Sequence, residues 1–126
     1  MRVLLVVSAS ICALLGVVHV GFTFANYERL SPAAVWFAGT GMALLLLAAL
    51  NWATLAGPPP RPGIRRLVVG LDLLMVVHAI LAVRAVAEPP AYLVLVTSVG
   101  LTLAGQFAAR DPRRTSTSVS ALPNDR

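Results

Sequence analysis

The sequence contains no lysine, a single cysteine and only five acidic residues in 126 positions. Charged residues amount to 12% of it, well below the roughly 25% of a soluble domain. With so few charges and 58% hydrophobic residues, the chain cannot clothe itself in a water-facing surface, and lipid is the solvent it suits. Cys12 has no partner for an internal disulfide and no second thiol for a CxxC pair. It lies in an apolar run and reads as a small packing residue. No HExxH, no GxSxG and no nucleotide-binding glycine loop is present. These absences remove the motif-bearing enzyme classes, so a non-enzymatic membrane role with no cofactor is expected.

What is there is a set of four apolar runs. They cover 3–25, 33–55, 67–86 and 91–109. Each is close to the roughly 20 helical residues that cross a bilayer. Barrel strands are excluded, because they need short alternating segments. Punctuation between the runs is brief. Ser31-Pro32 offers a cap followed by proline at the first helical position. Gly57-Pro58-Pro59-Pro60 and Glu88-Pro89-Pro90 stop the preceding helices. Short links make neighbours run in opposite directions. The expected fold is therefore all-α: an up-down-up-down four-helix transmembrane bundle over 1–110, followed by a disordered cytoplasmic tail over 111–126.

The net charge of +5 comes from ten arginines. They flank apolar runs, so anionic lipid headgroups rather than nucleic acid are the expected contact. Eight of the ten, namely Arg2, Arg61, Arg65, Arg66, Arg110, Arg113, Arg114 and Arg126, fall on one side, against Arg29 and Arg84 on the other. By the positive-inside rule both termini are cytoplasmic. Tyr27, Trp36 and Tyr92 then sit at the outer interface and Trp52 at the inner one, as aromatic belts do. The first run is taken as a span and not a cleaved leader, although Thr23-Phe24-Ala25 resembles a cleavage site. Its apolar length exceeds the about 7–15 residues of a leader. Exclusive use of arginine, with abundant Ala, Val and Leu, suggests a GC-rich bacterial genome, hence an inner membrane.

Polar residues within the runs are the candidate functional positions, since lipid makes them costly. Ser8, Cys12, Gly16, His19 and Thr23 are spaced by four, four, three and four residues, which puts them on one helix face. This face reads either as a small-residue packing stripe or as the wall of a polar cavity. Similar spacings recur at Gly39 and Ala43 and at Gly100 and Ala104. Such faces point to a homo-oligomer or a membrane-protein partner. Asp72, Asn51 and Gln106 fall at similar depth on three helices. They form either a cluster that fixes register, with Asp72 accepting the amide protons, or a proton or cation site of a small carrier. His19 and His78 are weak candidates for the two axial ligands of a haem, with about 6 Å between their depths at about 1.5 Å per residue. Arg84 is placed to snorkel and to meet Glu88. Glu28 is expected to be solvated.

The run from Leu30 to Gly41, with Asn51 further on, resembles small bacterial four-helix membrane proteins of unknown function, a resemblance that implies the fold and carries no role. Small multidrug transporters share the plan but carry a carboxylate midway along the first helix, where this chain has none. DoxX-like proteins share the plan as well, without a matching motif here.

Overall fold

A computed structural model describes residues 2–58 and 60–108; the expected tail over 111–126 lies outside them. Four helices make up the fold, and no strand occurs among the described residues. They are α1 (Arg2–Asn26), α2 (Pro32–Ala56), α3 (Pro62–Val86) and α4 (Pro89–Ala108). Each is long and apolar enough to cross a membrane.

The ends follow from local chemistry. At α2 the Ser31 hydroxyl accepts the Ala34 amide at 3.2 Å, with Pro32 next to it. Pro62 opens α3 directly after Arg61, which supplies no side-chain cap. This start lies five residues before Leu67, where the apolar run begins. Hydropathy marks the part of a helix that meets lipid, whereas the helix itself continues to the proline, so Arg65 and Arg66 lie within α3. Its other end is Ala87, held at φ 53° and ψ 29°, whose amide bonds the Val83 carbonyl at 3.0 Å. Glu88 precedes a proline and is thereby kept from helical backbone. It has left the helical path, and no ion pair joins it to Arg84.

The helices pack in the order α2, α1, α4, α3, with close contact at each of those three seams and very little between α2 and α3. The core is shared: Leu5, Ala9, Cys12 and Leu15 from α1, Leu44, Leu47 and Ala48 from α2, Met75 and Ala79 from α3, and Val94, Leu101 and Ala104 from α4. Glycines set the tightest seam. A β-carbon on Gly16 would stand 2.8 Å from the Gly41 carbonyl oxygen, and one on Gly41 would stand 2.8 Å from the Gly16 carbonyl oxygen. The two backbones therefore touch, the small-residue mode of packing that lipid favours. The α1–α4 seam is similar, with the Ser8 hydroxyl 2.7 Å from where a Gly100 β-carbon would lie. Outward, large apolar side chains such as Leu14, Val17, Leu46, Leu74, Leu81 and Val96 are exposed. This inverts a water-soluble surface and matches hydrocarbon surroundings.

A buried carboxylate without a second partner

The interior is more polar than its apolar shell. Ser8, His19, Thr23, Asn51, Asp72, Thr97, Ser98 and Thr102 are all buried. Most of them are satisfied within their own helix. Thr23 donates to the His19 carbonyl at 2.8 Å, Ser98 to the Val94 carbonyl at 2.8 Å and Thr102 to the Ser98 carbonyl at 3.0 Å. Such back-bonding to the preceding turn is the cheapest way to bring a hydroxyl into a dry helix.

Asp72 makes no such bond within its own helix, and its partner comes from another helix. Asn51 on α2 reaches across and donates from Nδ2 to Asp72 Oδ1 at 2.9 Å, while also donating to its own Leu47 carbonyl at 3.0 Å. Both residues are essentially inaccessible, Asn51 at 1% and Asp72 at 0% relative exposure. Their bond ties α2 to α3, two helices that otherwise hardly touch. The second carboxylate oxygen is different. Among the described residues, Asp72 Oδ2 is the buried side-chain oxygen or nitrogen with no hydrogen-bond partner. It faces α4 at Gly105, where a β-carbon would stand 3.7 Å away. Gln106 is the next residue, turned about 100° around the helix, and it is exposed. The pair is thus Asp72 with Asn51, and Gln106 lies outside it.

The other candidates separate. Ser8, Cys12 and Gly16 are buried inside the monomer, facing α2 and α4, with the Cys12 thiol donating to the Leu44 carbonyl at 3.4 Å. Ala104 is buried and Gly100 faces Ser8. Of the three small-residue faces, the one at Gly39 and Ala43 remains open. His19 is occupied: its Nδ1 lies 2.9 Å from the Leu15 carbonyl and its ring stacks on Phe37 at 4.5 Å. His78 lines a cleft between α2 and α3. The two histidines meet different faces of α2, so they do not form a haem pair. No group of three His, Cys, Asp or Glu side chains placed to hold a metal occurs among the described residues.

Two features escape a reading of the chain alone. One is the inward α4 face of Ser98, Thr102 and Gly105, the first two buried and the third half-buried. Its spacing of four and three residues was a usable signal, the same as that of the α1 stripe. The other is the α2–α3 cleft, which depends on how far apart two helices stand and has no sequence signal. Fold and site together define an all-α bundle whose helices are long and apolar enough to cross a membrane, with one buried carboxylate among the described residues. Scans against protein-family models, curated proteins and solved structures return no match to this chain.

Proposed function

We propose that this chain is a small non-enzymatic carrier of the bacterial inner membrane, crossing it four times up and down with both termini cytoplasmic, in which Asp72 binds and releases a proton or small cation. The observation that carries the reading is the unpartnered Oδ2. An ionisable group at membrane depth is expensive and marks ion and proton routes. A buried oxygen left without a donor needs an explanation, and a transient proton or cation is the simplest one. Asn51 fixes Oδ1 and leaves Oδ2 as the exchangeable position. The small side of Gly105 keeps bulk away from that oxygen. The orientation is supported by the eight-to-two division of the arginines.

The test is reconstitution into vesicles with an imposed pH gradient and a lumenal pH dye. Wild-type protein should dissipate the gradient, and Asp72→Asn should not while keeping its helical spectrum. Wild-type vesicles as tight as protein-free ones would end the carrier reading.

One observation favours a second reading, that of a non-enzymatic membrane subunit. The Gly39–Ala43 face is left open between α2 and α3, in the manner of small-residue faces that receive another helix. The mass of the detergent-solubilised particle tests it, and a strict monomer with no co-purifying partner would count against it.

A further inference from the structure

The poorly closed seam between α2 and α3 opens into a cleft of about 840 Å³. Its walls are apolar almost throughout, from Val35 to Leu50 on α2 and from Leu71 to Leu81 on α3. No acidic residue or arginine lines it. Its polar groups converge in one place. Thr40 and His78 each stand about 12 Å from the outer helix end on the up-down path, at about 1.5 Å per residue. Trp36 lies one turn further out on the same wall of the cleft. Below this level the walls are apolar, for about 15 Å more along α2 and about 10 Å along α3, by the same rise per residue.

His78 is the telling residue. It is half-buried in the cleft at hydrocarbon depth. It makes no hydrogen bond, ion pair or ring contact with another described residue, in contrast to His19, which meets the Leu15 carbonyl and stacks on Phe37. Imidazole in hydrocarbon without a partner is costly, which is why intramembrane ionisable side chains mark working sites. The volume, the apolar lining and the few converging polar groups match a small-molecule site between bundle helices, which measures about 300–1,000 Å³. A partner helix could cover only the mouth of the cleft, since a 20-residue helix is a cylinder about 10 Å wide and 30 Å long, too large to enter and fill this space.

We propose that the α2–α3 cleft binds a lipid-soluble quinone-class molecule, its ring against Trp36 with a carbonyl accepting from His78, and its tail running inward between the aliphatic walls. Each element of the site selects one element of that chemistry. The absence of charge in the lining requires an uncharged head. A neutral imidazole carries one N–H donor, which a carbonyl oxygen accepts. The indole offers a flat apolar face for a ring. The aliphatic channel below takes a hydrocarbon tail. A phospholipid would instead place its polar head at the surface and leave His78 unpaired. The site is separate from the Asp72 Oδ2, which faces α4, so the inference does not rest on the carrier reading.

The experiment uses full-length protein in nanodiscs and a photoreactive benzoquinone bearing a decyl tail, with labelled residues located by mass spectrometry. Labelling should saturate, fall on cleft residues of α2 and α3, and be competed by the unlabelled quinone. His78→Leu should weaken it roughly tenfold, the loss of one well-made hydrogen bond in a dry site. Gly39→Leu should abolish it without harm to the fold, because a β-carbon there meets nothing within 4 Å and the added side chain fills the cleft. The proposal is overturned by labelling spread evenly over the lipid-facing surface, by indifference to both substitutions, or by equal competition from an alkyl chain lacking the ring, which would mean a lipid tail only. Efficient disulfide dimerisation of Ala43→Cys would overturn it too, since a second copy would then occupy the cleft.

Discussion

At the residue scale, glycines with the same letter have opposite roles. Gly41 faces the Gly16 backbone, whereas Gly39, two positions earlier, faces open space. Gly41→Ala should force α1 and α2 apart at a cost of about 1–3 kcal/mol, as overpacking does. Gly39→Ala should be neutral or stabilising by about 0.5–1 kcal/mol, the ordinary gain of replacing glycine in a helix. Unfolding by denaturing detergent in mixed micelles, read by circular dichroism, compares the two. Equal effects would mean that the Gly16–Gly41 contact is not made. The sequence shows both as small residues on an apolar helix, and neither its pattern nor its composition says which faces a neighbour. That depends on helix rotation, which is set by packing.

The Asp72–Asn51 bond has a testable energy. Asn51→Leu removes the one donor and leaves both carboxylate oxygens buried without partners, which should cost about 1–3 kcal/mol. Adding Asp72→Leu should recover most of that loss, because an apolar pair needs no partners. The double-mutant cycle in the same unfolding assay should then show coupling well outside additivity; additive losses would mean that the two side chains do not interact. Gly105 offers the opposite change. A β-carbon there reaches 3.7 Å from Asp72 Oδ2, so Gly105→Ser brings a hydroxyl to the vacant oxygen. It should stabilise the bundle by about 0.6 to 1.7 kcal/mol, the range of hydrogen bonds between membrane helices, and should slow any flux that uses that oxygen. A serine variant less stable than Gly105→Ala would contradict this geometry. The depth match of Asp72 with Asn51 was legible, since equal depth follows from counting along helices. Gln106 shares the depth and points elsewhere, and only the packed structure reveals that.

At the scale of elements, most boundaries were readable because proline writes them. Ser31-Pro32 reads in the sequence as a start, and the proline runs at 58–60 and 89–90 read as stops of the preceding helices. The start of α3 was not, because its first turn is polar: the apolar run begins at Leu67 while the helix begins at Pro62. The end of α3 carries a local cost. Ala87 sits in left-handed backbone, a conformation that glycine adopts freely and alanine does not. Ala87→Gly should therefore stabilise the protein by about 1 kcal/mol, the usual penalty of an L-residue there, visible as slower amide exchange through the last turn of α3. Faster exchange after the substitution would show that the left-handed turn is not formed.

At the scale of the whole molecule, four helices of the right length and apolarity were foreseeable, because composition leaves a chain this poor in charge no other solvent. The proposed orientation rests on a different force, the preference of arginine-rich flanks for the cytoplasmic side. Two exposed positions, one in a loop and one in the first turn of a helix, separate the alternatives. Glu28 follows α1 and Gly63 lies at the start of α3, both exposed. A β-carbon at Gly63 meets nothing within 4 Å, so Gly63→Cys is as mild a change as Glu28→Cys. The native Cys12 thiol is buried and does not compete. A membrane-impermeant maleimide applied to intact spheroplasts should label Glu28→Cys at once and Gly63→Cys only after permeabilisation. The reverse pattern would place the arginine-rich side outward and overturn the orientation. Equal labelling of both from one side would be graver, for α2 then does not cross the bilayer, and the depth relations of Asp72 with Asn51 and of His78 with Thr40 would lose their basis.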